Sequence, residues 1–273
     1  GPMICAVNGV SLYYEVAGVG KPPFVLLHGT TGRSDSFATF TPLLAAQHQV
    51  YLPDLRGHGR SGHVAGGYRV LDFAADIEQF IREVVGEPCF VLGHSLGGLV
   101  ALALGSMAPR WINGLVIEDA PLWLRRTTVQ AGSQRAYDNF KGQYELLLES
   151  QDEATLAELL PQRLPAATAR EDPTLAGRLA QLDPDVLRMS FDSSLMDGFD
   201  IDAAAAKVRC PTLLVQADPT AGGSLTDADA AAVLALLAQG SHQFVAGAGH
   251  NIHQERPATL IAIIGHWAAN LTG

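Results

Sequence analysis

Short apolar runs rich in β-branched and aromatic residues recur along this chain, each bounded by Gly, Pro or Asp. They are Leu12–Val16, Phe24–Leu27, Gln49–Leu52, Cys89–Leu92, Gly114–Ile117, Thr212–Val215 and His242–Val245. Segments with helical spacing lie between them: Ser36–Ala46, Leu71–Val85, Leu96–Ala108, Thr226–Ala238 and Pro257–Leu271. Continuous apolar strands alternating with helices predict a mostly parallel sheet covered on both faces. The last helix shows the pattern plainly. Pro257 suits a first helical turn, and Leu260, Ile261, Ile264, Trp267 and Leu271 fall on one stripe.

The alternation stops between Leu122 and Lys207. That stretch reads helix after helix: Ser133–Glu149, Glu153–Leu160, Pro173–Leu182 and Pro184–Leu195. It also holds 9 basic and 14 acidic residues, half of the chain's 46 charges in 86 of its 273 residues. Helices perched on an α/β core expose more surface per residue, which accounts for the missing strands and the added charge together. The expected organisation is a core of residues 3–121 and 208–273, interrupted by a helical cap of residues 122–207.

Composition removes several function classes. With 48% hydrophobic and 17% charged residues the chain is too apolar to be disordered. A net charge of −10 argues against nucleic acid, whose phosphates need a basic face. Cys5, Cys89 and Cys210 are odd in number and far apart, and read as buried thiols in a reducing compartment. Gly1-Pro2 ahead of Met3 reads as a proteolytic scar. No basic, apolar leader follows, and no stretch of 18 residues is apolar enough to span a bilayer. A cytoplasmic location, with no membrane and no nucleic-acid partner, is the expectation; a homo-oligomer stays open.

Cys89–Leu92 runs into Gly93-His94-Ser95-Leu96-Gly97 and then a helix. A Gly-x-Ser-x-Gly placed between strand and helix forces the serine into a sharp, strained turn, with glycines two residues away on either side leaving room. The turn projects the hydroxyl at the C-terminal edge of the sheet, where the helix N-terminus offers a positive dipole to a developing oxyanion. His250 lies in Gly247-Ala248-Gly249-His250 after the last strand and is the candidate base for Ser95. His253 stands three residues on, but no third ligand pattern accompanies it, so no metal is expected.

On these motifs the chain resembles the α/β-hydrolase-fold proteins of the capped esterase, lactonase and C–C hydrolase type. The resemblance spans Met3 to Pro121 and Arg209 to Gly273. It also rests on Phe24–His28-Gly29-Thr30, similar to the family's strand and oxyanion loop. Asp54-Leu55-Arg56-Gly57-His58-Gly59-Arg60-Ser61 and Glu255-Arg256-Pro257 add to it. It implies an eight-stranded, mostly parallel sheet with a helical cap. It further implies a catalytic Ser95 and His250, an oxyanion hole of the Thr30 and Leu96 amides, and no cofactor. In this family His28 and His58 are expected to be structural.

The acid stays open between two positions. Most relatives carry it after the strand here read as Thr212–Val215, where this chain has Ala217 and Thr220 in place of the usual Gly and Asp, with Asp218 two residues early. Relatives such as haloalkane dehalogenases and zearalenone-type lactonases carry it after the preceding strand. Counting from Gly114, Asp119 matches that second position, and it is the favoured acid, with Asp218 the alternative. The cap side chains Trp123, Tyr137 and Phe191 are expected to bind substrate, with Leu124, Phe140 and Tyr144 beside them. Arg125 and Arg126 read as a solvated helix face. The resemblance implies a hydrolase of small carboxylic esters or lactones working through an acyl-enzyme. The alternatives are a C–C bond hydrolase of ring-cleavage products and a ligand-binding scaffold. A serine in the elbow, where dehalogenases and epoxide hydrolases use aspartate, sets those two activities aside.

Overall fold

The computed structural model describes residues 2–164 and 172–272. Eight strands form one sheet: β1 (Met3–Val7), β2 (Val10–Ala17), β3 (Phe24–Leu27), β4 (Val50–Pro53), β5 (Cys89–His94), β6 (Ile112–Glu118), β7 (Thr212–Ala217) and β8 (Gly240–Val245). Their spatial order is β1-β2-β4-β3-β5-β6-β7-β8. β1 and β2 pair antiparallel, as do β2 and β4; every other neighbouring pair is parallel. The central strands β3, β4, β5 and β7 are buried along their whole length, which is why they read as unbroken apolar runs.

β1 carries no such run. It is an edge strand with Met3 and Ile4 largely exposed. Its hairpin with β2 turns at Asn8 and Gly9, both at positive φ (48° and 76°), the geometry that an Asn-Gly pair favours. The helices α1 (Thr41–Ala45), α2 (Val70–Phe80) and α3 (Leu96–Met107) follow in chain order. The helix expected over Ser36–Ala46 is broken into a 3-10 turn at Ser34–Phe37 and the short α1, because Pro42 has no N–H to continue a helix through it. α2 runs on as a wider turn through Ile81–Val85 and stops at Gly86, whose φ of 74° suits a left-handed cap. α3 is buried on every side from Leu96 to Gly105 and packs against β5, β6 and α2.

Between β6 and β7 the described residues are helical: α4 (Val129–Gly132), α5 (Gln134–Glu149), α6 (Glu153–Arg163), α7 (Leu175–Gln181), α8 (Pro184–Phe191) and α9 (Ile201–Lys207). Most start at a residue whose side chain caps the first turn. Ser133 accepts from Ala136 N–H, Asp152 from Thr155 N–H and Asp200 from Ala203 N–H, satisfying amides that a helix leaves free. α5 packs on α8, α6 on α7, and α9 returns to lie against α3. α10 (Asp227–Leu236), α11 (Ile252–Glu255) and α12 (Pro257–Ala269) complete the chain. No helix among the described residues is long and apolar enough to cross a membrane.

The loop after β4 is a polar knot that fastens the sheet. Asp54 Oδ1 accepts Ser34 N–H at 2.6 Å and Oδ2 accepts Arg60 N–H at 3.0 Å. Gly59, at φ 52°, brings its backbone so close that a Cβ would stand 2.2 Å from the Asp54 carboxylate. Arg56 donates to both oxygens of Asp76 on α2, at 2.6 and 2.7 Å, and both side chains are buried. Removing one partner of such a pair strands the other charge. Arg56→Met is therefore expected to cost about 3–5 kcal/mol of stability, read as a lowered urea midpoint at unchanged slope.

Candidate active site

Ser95 sits at φ 54° and ψ −116°, between the end of β5 and the first turn of α3. The conformation is enforced by crowding. A Cβ on Gly93 would lie 1.9 Å from Gly97 O, and one on Gly97 would lie 2.2 Å from Leu27 O. Strand, turn and helix are thus pressed together with no space for side chains. Such backbone strain costs on the order of 1–3 kcal/mol and is held by the surrounding fold. Ser95 N–H donates to Glu118 O at 3.0 Å, which fixes the turn to the end of β6.

One residue beyond the end of β6, the second ingredient appears. His250 Nδ1–H donates to Asp119 Oδ2 at 2.6 Å. Asp119 is fully buried and, like Ser95, takes a positive φ (47°). Its Oδ2 also accepts Ser224 N–H at 2.7 Å, and its Oδ1 accepts Ala217 and Leu225 N–H at 3.1 and 3.2 Å. Asp218 stands elsewhere. Its carboxylate accepts Thr220 N–H and hydroxyl through Oδ1 and Gly247 N–H through Oδ2, and so shapes the loops after β7 and β8. Those bonds, led by the Gly247 amide, hold its carboxyl below the usual range.

The loop Gly29–Gly32 follows β3 and faces Ser95. His28 holds it from the core side: Nδ1–H donates to Gly29 O at 2.8 Å while Nε2 accepts Leu55 N–H at 3.0 Å. The cap holds it from above. Arg178 on α7 donates from Nη1 to Thr31 O at 2.6 Å, and from Nη2 to Asp172. Burial pushes the Arg178 guanidinium down to about 10, and Thr31 is held at φ 68°. Leu96 opens α3, so its amide belongs to the first-turn donors that a helix leaves without internal partners. Thr30 and Leu96 both border the cavity described below.

A second acid–histidine pair escaped the sequence reading. Glu118, next to Asp119 but on the opposite side of the strand end, accepts His253 N–H at 3.0 Å and His253 Nδ1 at 2.8 Å. Burial alone would raise its carboxyl. The imidazoles of His253 and His94 and the two His253 bonds outweigh that and hold it down at about 2. His94 is buried and stays neutral well below its ordinary range, chiefly by desolvation. Its Nε2–H donates to His250 O at 2.9 Å. Donor atoms of His94, Glu118 and His253 come within 4.8 Å of one another, a spacing a metal could use. Yet both Glu118 oxygens and the His94 Nε2 proton are already spent on protein partners, so the trio reads as a hydrogen-bonded strut under the His250 loop. Only the adjacency Glu118-Asp119 and the His250/His253 spacing hinted at it.

Ser95, His250, Thr30 and Leu96 share one cavity of about 320 Å³ under the cap. Trp123 lines it, as do Leu124 and Phe140. Tyr137 and Phe191 do not. Their rings meet edge to face at 5.7 Å, with Tyr144 against Phe191 at 5.5 Å, and fill the space between α5 and α8. Arg125 pairs with Asp202 and Arg126 with the buried Asp229, tying the start of the cap to α9 and α10. The lining is mixed rather than apolar, with Asn139, Gln143 and Ser190 among the cap's contributions.

A family model described as "Alpha/beta hydrolase family" matches residues 24–263. The chain is 33% identical over 217 residues to "Putative carbamate hydrolase RutD" of Variovorax paradoxus (strain S110), covering 76% of this chain and 77% of that one. It is 28% identical over 207 residues to the pimeloyl-(acyl-carrier protein) methyl ester esterase of Edwardsiella ictaluri (strain 93-146), covering 74% and 77%. The enol-lactonase from Burkholderia xenovorans LB400 superposes with a TM-score of 0.76 at 20% identity, covering 98% of this chain and all of that one.

The buried histidines make stability depend on pH. Burial pushes His28 down to about 4 and His58 to about 3. Both are neutral in the folded chain and ordinary in the unfolded one, so their stabilisation is complete above pH 6.5 and is lost as pH falls toward the folded values. Each is expected to withdraw about 2 kcal/mol by pH 5. Urea midpoints at pH 7, 6 and 5 check this; a flat profile contradicts it.

Proposed function

The chain belongs to the alpha/beta hydrolase family, and from that premise we propose that it is a serine hydrolase cleaving a small carboxylic ester or lactone through an acyl-enzyme. The observation that carries the reading is the 2.6 Å bond from His250 Nδ1 to the buried Asp119, in a site where His250 and the strained Ser95 border one cavity. Residues 122–207 act as the cap over a core of 3–121 and 208–273. The carbamate, methyl ester and enol-lactone named for the similar proteins share an acyl carbon bonded to oxygen, the bond this site would open.

Asp119 keeps the Nδ1 proton on His250, which leaves Nε2 as the base. As Ser95 Oγ attacks the carbonyl carbon, His250 takes its proton and Asp119 steadies the imidazolium that forms. The tetrahedral oxyanion would rest against the Thr30 amide of the loop after β3 and the Leu96 amide at the N-terminus of α3. His250 returns the proton to the departing alkoxide, which in a lactone stays attached to the acyl chain. A water then repeats the cycle and frees Ser95. Arg178 contributes by donating to the Thr31 carbonyl, which braces the loop that carries Thr30.

Turnover of short methyl or p-nitrophenyl esters, and labelling by a fluorophosphonate, are expected in the parent chain and absent in Ser95→Ala. Asp119→Asn is expected to lower kcat by about 10³–10⁴, because it disturbs the tautomer of His250. Asp218→Asn is expected to stay near the parent rate. Equal losses in the two variants, or labelling that survives Ser95→Ala, contradict the assignment.

A further inference from the structure

α5 turns one face inward along Ala136, Phe140, Gln143, Leu146 and Leu147, and the first three of these border the cavity. These positions follow helical spacing, so an apolar residue at 143 would complete the stripe. Gln143 interrupts it. Its side chain is almost wholly buried, and its Oε1 is one of three buried side-chain polar atoms among the described residues without a hydrogen-bond partner. The others are His58 Nε2, in the loop after β4, and His253 Nε2. His253 also borders the cavity but is fixed through its other nitrogen: Glu118 accepts from Nδ1, and the ring packs against Phe37 and His94 at 4.6 and 4.7 Å. Gln143 has no such role. Burying an amide without partners is destabilising, and a group that satisfies it recovers the loss.

Asn139 precedes Gln143 by one helical turn and borders the same cavity. The hydroxyl of Ser190, on the facing α8, already donates to Val186 O at 2.8 Å. The surrounding cap surface, Trp123, Leu124, Leu175 and Leu195, is apolar. The cavity's charged side chains, Arg178 and Asp172, are engaged with each other, and Arg178 also with the Thr31 carbonyl. The wall at Gln143 therefore offers donors and an acceptor without a charge.

Resting on the hydrolase reading above, we propose that Gln143, with Asn139 beside it, determines specificity by hydrogen-bonding an uncharged group of the substrate, remote from the scissile carbonyl, that both donates and accepts: in the simplest case a secondary amide. The substrate class is then an ester or lactone bearing an amide, rather than a plain alkyl ester.

The test compares methyl esters carrying an acetamido group two, three or four carbons from the ester carbonyl with hydrocarbon isosteres of the same shape. At the best spacing the parent enzyme is expected to favour the amide by about 10- to 100-fold in kcat/KM. Gln143→Met is expected to remove that preference while raising Tm by about 2–4 °C, since it relieves a buried unpaired amide. A parent enzyme indifferent to the amide at all three spacings overturns the proposal. So does a preference that survives Gln143→Met, or a Tm that falls in that variant, which would mark Gln143 as structural. Equilibrium binding of the same esters to Ser95→Ala reads the preference independently of turnover. If fluorophosphonate fails to label Ser95 yet the amide preference in binding is lost in Ser95→Ala/Gln143→Met, the hydrolase reading fails and the subsite stands.

Discussion

One buried carboxylate organises the chemical end of this molecule. Asp119 receives four N–H donors, from Ala217, Ser224, Leu225 and His250, which come from β7, from the segment leading into α10 and from the loop after β8. A carboxylate without water is tolerable only when its lone pairs are filled this completely. The same bonds that make its burial possible therefore gather three separate segments around the end of β6. The positive φ at Asp119 is part of that geometry, since it turns the side chain back toward the donors as the strand ends.

Its neighbour Glu118 repeats the device on the other side of the strand. Alternation along β6 sends the two consecutive carboxylates to opposite sides, and each takes one imidazole from the same short stretch, His250 or His253. Glu118 O also receives Ser95 N–H, and His94 reaches across to the carbonyl of His250. Elbow, acid and histidine loop are thus cross-braced through buried polar groups rather than through packing alone. Holding a nucleophile and base in register demands this kind of support, because small displacements forfeit much of the gain from proximity.

Much of this is legible in the sequence. The central strands announced themselves because both faces are covered, and Gly93, Ser95 and Gly97 announced the elbow because only glycine fits there. β1 was silent for the opposite reason: an exposed edge strand buries too little to leave an apolar run, and only Asn8-Gly9 betrays the hairpin. The choice between Asp119 and Asp218 is a different kind of problem. Both follow a strand at the same edge of the sheet, and spacing along the chain cannot say which carboxylate meets His250. In space, Asp218 is committed to Gly247 and Thr220. Tyr137 and Phe191 show the matching limit for the cap. Helical spacing places large rings on a buried face, yet which of them meets the cavity depends on how α5 and α8 lean together.

The uneven charge of the chain has a structural counterpart. In the cap, charges sit near the surface and pair locally, as Arg163 does with Glu149 and Arg188 with Asp185 and Asp192. Such exposed pairs add little stability; they keep small helices soluble. The core has exposed pairs of its own, such as Lys21 with Glu87, but it also buries several charges with specific partners: Arg56 with Asp76, Glu118 with His253, Asp119 with His250, and Asp54 with the Ser34 and Arg60 amides. Arg178 belongs to the second kind although it rises from the cap. It is the point where the two regimes meet, a buried cation spanning from α7 to the carbonyl of Thr31. Through that bond the seating of the cap bears directly on the loop that faces Ser95. A cap displaced from this position would leave Thr31 without the partner that steadies its left-handed conformation. The cap and the surroundings of Ser95 are thereby one mechanical unit, joined at the loop after β3.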